Sequence, residues 1–101
     1  MKMYILVKEN VPLGSAIVAA AHASLAAYLK YQDSPEVRQW LAGPFYKVVC
    51  KVSEAEFERA KSEPDHVVIT ESALDNQEVA LAFKPSQEWP RAFRYLRIYR
   101  E

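Results

Sequence analysis

A chain of 101 residues, half of them apolar and 26% charged, has the size and composition of one soluble globular domain and not of a disordered or fibrous chain. Its 13 basic and 13 acidic residues cancel, so the global charge singles out neither nucleic acid nor a membrane surface as partner. Cys50 is the single cysteine, which excludes an internal disulfide, implies no oxidising compartment, and in its apolar run reads as a small core residue.

Met3-Tyr-Ile-Leu-Val7 is a short, β-rich apolar run, the mark of a central strand covered on both faces. With Met1 and Lys2 it is too brief for a signal peptide and no small-residue cleavage site follows, so the expected location is cytoplasmic. Pro12 and Gly14 punctuate the exit, and Ser15 is a candidate N-cap for the next helix. The stretch from Val11 to Leu29 has no formal charge and approaches membrane-span length. It is built on alanine, however, and reads as a buried helix of a soluble protein with no membrane partner. At 100° per residue, Gly14, Val18, Ala21, Leu25, Tyr28 and Leu29 share one face with Ile17 beside it, and Ala16, Ala19, Ala23, Ala26, Ala27 and Lys30 share the opposite one. The large aliphatics mark the first face as the inward one. Alanine in place of charge on the other face then implies close approach by another helix or by a second subunit, a homodimer through this first helix.

Asp33-Ser-Pro-Glu36 signals a second helix, with a polar cap, proline at the first helical position and an acid in the first turn. Val37, Trp40 and Leu41 are expected inward, and Gly43-Pro44 ends it. Phe45 to Val52 is the second strand, and Ser53-Glu-Ala-Glu56 is a capping box opening a third helix with Phe57 and Ala60 inward. His66–Thr70 and Glu78–Phe83 are two further strands, joined closely enough to be antiparallel. A last segment, partly helical, ends in Leu96-Arg-Ile-Tyr99. The order β-α-α-β-α-β-β-α predicts a single-domain three-layer α/β/α sandwich around a four-stranded mixed sheet.

No phosphate loop, dinucleotide fingerprint, nucleophile elbow or metal-protease motif is present. The two histidines have no cysteine or carboxylate at ligand spacing, so neither a metal nor another cofactor is expected. His22, at the edge of the first helix's apolar stripe, is a candidate base or hydrogen-bond donor, or else a boundary histidine bonded to a carbonyl. Ser15 lies on the same edge and reads as a cap before it reads as a nucleophile. Glu71, Asp75 and Asn76 cluster after the third strand, where polar residues serve either a substrate or the turn itself. Lys47 and Lys51 lie four apart on the second strand, so they face one side and can hold phosphates. Arg91, Arg94, Arg97 and Arg100 recur every third residue between aromatics and give residues 84–101 a net +3 against −3 for the rest. Such a pattern contacts nucleic acid or forms a solvated stripe over a buried aromatic face.

The segments Lys2-Met-Tyr-Ile-Leu-Val-Lys8, Leu13-Gly14 and Val18-Ala-Ala20, then Trp40 followed by Gly43, Lys47-Val-Val-Cys-Lys51, Val79-Ala-Leu-Ala-Phe-Lys-Pro85 and Leu96-Arg-Ile-Tyr99 together resemble, in order, the type 2 peptidyl-tRNA hydrolase family. The resemblance implies hydrolysis of the ester joining a peptide to tRNA, with tRNA or peptidyl-tRNA as partner. It makes Glu71 the carboxylate of the site, with His22 and Asp75 as its other catalytic candidates. Lys8, Asn10, Ser15, Lys47 and Lys51 become the substrate-binding candidates. The sequence departs from the family pattern around the first helix. Ser15 and Ile17 stand where the family has motif lysines, Ala21 where it has glutamine, Ser24 where it has histidine, and Asn10 where it has aspartate. Two readings therefore stand: a divergent hydrolase, or a member of the fold that binds a ligand, RNA or protein without catalysis.

Overall fold

The computed structural model describes residues 1–100. Strand β1 (Lys2–Lys8) is central and Met3 to Val7 are all buried. Alternation along the strand sends Met3, Ile5 and Val7 into one core and Tyr4 and Leu6 into another on the opposite face. Both faces of the sheet are therefore covered, as the unbroken apolar run implies.

Helix α1 (Leu13–Tyr31) and helix α2 (Pro35–Ala42) follow β1, then strand β2 (Tyr46–Val52), helix α3 (Glu54–Ala60), strand β3 (His66–Glu71) and strand β4 (Gln77–Phe83). β2 pairs parallel with β1, β4 antiparallel with β1, and β3 antiparallel with β4. The register of β3 against β4 shifts after Ile69, whose partner is Ala80, while Thr70 faces Glu78. Val79 is the extra residue of a bulge, and it joins Ala80 in the core beneath α1.

The sheet has five strands among the described residues, in the order β3-β4-β1-β2-β5, and not four. The expected last helix is a 3-10 turn, Arg91–Tyr95, followed by the two-residue strand β5 (Arg97–Ile98) antiparallel to β2. A two-residue strand is too short to leave a periodic signature, and only the free edge of β2 creates it.

The second correction concerns α1. Ala16, Ala19, Ala23 and Ala27 are its buried residues, whereas Ile17, Leu25 and Leu29 are 63%, 57% and 54% exposed. The alanine face lies on the sheet, over β4, β3 and β1, and meets Ala80 and Ala82 in one core. Small residues on both surfaces let the helix axis come close to the sheet, where larger side chains would hold it off. The close approach that the alanines call for is thus made inside the chain. By length and composition alone α1 would suffice to cross a bilayer; here it forms one layer of the fold.

The shorter helices follow their local signals. Ser34 caps α2 through Val37 N–H, and Val37 and Trp40 are buried, although Leu41, expected inward, is exposed. Ser53 and Glu56 make the reciprocal capping box of α3, at 3.1 and 2.8 Å. Phe57 and Ala60 pack under the other face of the sheet with Cys50, Leu81, Phe83 and Phe93. Trp89 and Phe93 join Tyr4 and Phe83 in an aromatic cluster with centroid separations of 4.8 to 6.0 Å. These two C-terminal aromatics therefore build core.

A candidate site at the carboxyl edge of the sheet

β1 and β2 run parallel, and two antiparallel steps restore the same direction at β3. The ends of all three strands, at Lys8, Val52 and Glu71, therefore share one edge, and β4 starts there at Gln77. Open α/β sheets carry their sites at this edge. Helix α1 also begins there. Its N-cap is Pro12, which has no side chain to donate or accept a cap, and its first turn holds no acid. The first amide to bond back is that of Ala16, to Pro12 C=O. The amides of Leu13, Gly14 and Ser15 have no partner among the described residues. Ser15 is thus inside the first turn and does not cap it. An uncapped helix start of this kind is a place where an anion or developing oxyanion is stabilised.

Glu71 ends β3. Regular alternation with Val67 and Ile69, which pack toward α1, puts Glu71 on the α1 side of the sheet. One carboxylate oxygen accepts the Ala73 N–H at 3.1 Å. The chain then makes the 3-10 turn Ser72–Leu74 and reverses through Asp75 and Asn76, both left-handed at φ 56° and 57°. Asp and Asn tolerate that conformation better than other residues, so turn geometry alone accounts for their presence. Asn76 N–H closes the loop on Glu71 C=O at 2.9 Å.

On the same side of the sheet, Lys51 lies near the end of β2. Its Nζ donates to Arg100 C=O at 3.1 Å and sits 5.1 Å from the Tyr99 ring centroid. With Arg97, Ile98 and Arg100 it lines a groove of about 500 Å³. A smaller apolar cleft of about 240 Å³, lined by Ala16, Ile17, Ala20, Val49 and Tyr99, separates α1 from β2. Tyr99, read from the sequence only as part of the C-terminal segment, lines this cleft with its ring beside Lys51. It is held by its N–H on Val49 C=O at 2.8 Å, a contact between residues fifty positions apart.

The remaining candidates lie elsewhere. Lys47 shares the side of Lys51, as their spacing requires, but pairs with Met3 at the opposite edge of the sheet. Four residues of strand put it about 13 Å from Lys51, and its Nζ lies over the Phe45 and Trp40 rings at 4.8 and 5.3 Å. His22 is exposed on α1, nine residues past the helix start and so about 13 Å along its axis. Lys8 belongs to the α3 side, ion-paired to Glu54 at 3.1 Å with its Nζ 4.6 Å from the Phe57 ring centroid. Asn10 is exposed in the β1–α1 loop, beside Glu9, which pairs with Arg97 at 2.7 Å. His22, Lys47 and Glu71 therefore do not converge on one pocket. The edge gathers Glu71, Asp75, Asn10, Ser15, the α1 amides and Lys51. Glu71 and Lys51 are three strand spacings apart, about 14 Å, so any one substrate that touches both must be long.

The family model for peptidyl-tRNA hydrolase PTH2 matches residues 1–88. The chain belongs to the PTH2 family. No curated protein sequence matches it significantly. The family match takes in every element from β1 to β4, and with them Glu71, the α1 entry and Lys51. It ends before the Arg91–Tyr95 turn and β5, so Arg97, Ile98 and Arg100, which wall the groove beside Lys51, and Tyr99 of the neighbouring cleft lie beyond it. In this PTH2 fold another cavity of about 440 Å³, lined by Arg59, Phe93, Tyr95 and Leu96 among others, opens between α3 and the C-terminal turn. It is on the far face of the sheet from α1 and has no part in the carboxyl-edge site.

Proposed function

We propose that this PTH2 domain, spanning residues 1–101 as a single cytoplasmic unit, hydrolyses the ester between a peptide and the 3′ ribose of tRNA at the carboxyl edge. The observation that carries the proposal is that, within the family-matched segment, a carboxylate on the α1 side of the sheet and an uncapped helix start both lie at the carboxyl edge. Glu71 has an oxygen to spare beyond its bond to Ala73 N–H, and it takes a proton from water as the water oxygen attacks the ester carbonyl carbon. The α1 amides receive the negative charge that develops on the carbonyl oxygen. The C–O bond to the ribose then breaks, and the proton passes to the departing ribose oxygen. Lys51 and the groove it shares with Arg97 and Arg100 hold the tRNA backbone, whose length bridges the separation from Glu71. Asn10, Ser15 and Asp75 line the rim.

A second reading, binding without hydrolysis, is favoured by one specific observation. Two of the basic residues near the edge are already engaged, Lys8 with Glu54 and Arg97 with Glu9, and Ile17 stands where the family has a motif lysine. The fixed positive charge that most strengthens such a site is thereby reduced. Incubation with a peptidyl-tRNA distinguishes the two. Hydrolysis that falls about 100-fold or more in Glu71→Gln supports catalysis with Glu71 as base. Absence of cleavage together with a tRNA mobility shift that weakens in Lys51→Ala supports the binding module.

A further inference from the structure

At the start of β1, about 20 Å along the strand from Lys8, a second pocket opens on the α3 side of the sheet. It measures about 410 Å³ and is lined by Lys2, Tyr4, Gln87, Glu88, Trp89 and Arg94, the size of a small-ligand site. Its frame is fixed by Ser86. The carbonyl of Ser86 accepts Lys2 N–H at 3.2 Å and Trp89 Nε1–H at 3.0 Å, and its hydroxyl accepts Glu88 N–H at 3.1 Å. Lys2 Nζ stands 5.1 Å from the Tyr4 ring centroid. Lys2 and Arg94 form no ion pair among the described residues, so their charges are free for a ligand.

Tyr4 points to what that ligand is. Its side chain belongs to the core, 6% exposed, with its ring edge-on to Trp89 and Phe93 at 4.8 and 5.2 Å. Phenylalanine would fill the same slot, and a tyrosine this buried normally has a partner for its hydroxyl. Among the described residues no buried side-chain oxygen or nitrogen is left without a partner. The Tyr4 hydroxyl bonds to none of them and so reaches solvent, in the pocket that Tyr4 lines. We infer that this pocket binds a mononucleotide. Lys2, Arg94 and the Tyr4 hydroxyl take the phosphate, Glu88 and Gln87 bond the ribose hydroxyls, and half-buried Trp89 gives the base an aromatic wall. A longer nucleic acid needs a continuous basic track, whereas here the Glu88 carboxylate stands beside the two cations and repels flanking phosphates. A bare phosphate leaves Glu88 and Trp89 unused. Trp89 and Arg94 lie beyond residues 1–88, so residues outside the family-matched segment complete the pocket.

Calorimetric titration of the full chain with AMP, adenosine, inorganic phosphate and a single-stranded RNA hexamer tests this. AMP should bind saturably, with adenosine and phosphate each at least tenfold weaker. Arg94→Ala and Lys2→Ala should each weaken AMP about tenfold or more, through loss of a charged hydrogen bond. Tyr4→Phe, which keeps the ring packing and hence the fold, should weaken it about fivefold. Lys51→Ala should leave the AMP affinity unchanged, which separates this pocket from the groove at the carboxyl edge. In proton–nitrogen spectra AMP should shift the indole N–H of Trp89 and not that of Trp40, which packs in the core on the other face of the sheet. No AMP binding, phosphate or adenosine as tight as AMP, RNA binding without AMP binding, full affinity in Tyr4→Phe and Arg94→Ala, or an affinity lost in Lys51→Ala would each overturn the proposal.

Discussion

Replacing Ala23 by leucine should damage this protein more than replacing Leu25 by alanine, an order opposite to the one side-chain size suggests. Ala23 is 0% exposed, flanked along the buried face by Ala19 at 1% and Ala27 at 0%, and Ala80 and Ala82 of β4 in the same core are also 0% exposed. Three additional carbons at Ala23 have no free volume to enter. They must adopt a strained rotamer or lift α1 off the sheet, at a cost of about 2–3 kcal/mol. For a chain of this length that is a fall of roughly 10–20 °C in Tm. Leu25, already 57% exposed, forfeits less than about 1 kcal/mol when shortened, and alanine recovers a little through helix propensity. The two variants should be compared by urea unfolding at a protein concentration low enough that association contributes nothing. If the leucine stripe faced the core, Leu25→Ala would instead cost about 2–5 kcal/mol. A midpoint for Leu25→Ala at or below that of Ala23→Leu would refute the orientation of α1.

Burial pushes the Cys50 thiol from 9.0 up to about 11, against a lowering by Lys2 and with a further rise from Glu56. The folded state therefore prefers the neutral thiol. The resulting stabilisation, about 3 kcal/mol, is complete below pH 9, where the unfolded thiol begins to ionise, and is lost as the pH climbs through 11. Urea midpoints measured from pH 8 to 11 should fall more steeply for wild type than for Cys50→Ala, and parallel curves would contradict this. Ser53→Ala removes the cap from Glu56 N–H and should cost about 1 kcal/mol, read as a lower urea midpoint at unchanged slope. Trp40→Phe deletes the 2.8 Å bond from Nε1 to Tyr46 C=O and should cost about 1–3 kcal/mol; an unchanged midpoint would mean that water satisfies that carbonyl.

Much of this architecture is legible because it depends on neighbours in the chain. The capping box of α3, the Ser34-Pro35 start of α2 and the turn residues Asp75 and Asn76 are contacts among residues a few positions apart, so their side-chain chemistry announces them. The alternation of β1 between two cores follows from an apolar run that no half-exposed strand could carry. Leu41 shows where such reading stops. It falls on the apolar stripe of α2, yet the layer is already closed by Val37 and Trp40, and it remains exposed. The candidate site divides in the same way. Glu71 is recognisable as a carboxylate at a strand end, and its neighbourhood follows from strand order. His22 and Lys47 fit by type and spacing, but His22 sits about 13 Å along α1 from the helix start and Lys47 at the opposite edge of the sheet.

The amino-acid sequence by itself determined the α/β class, the succession of elements through β4 and the family to which they belong, because propensity, capping and periodicity act over short spans of chain. Only the tertiary structure decided which face of α1 is covered. That helix is apolar on every side, so periodicity ranks its faces by bulk, whereas the sheet selects the face that allows the nearest approach. Tertiary structure also decided the fifth strand, the placing of Arg97, Arg100 and Lys51 around one groove, and Tyr99 in the cleft beside it. Those depend on the open edge of β2 and on contacts between residues roughly fifty or more positions apart, for which no local pattern exists.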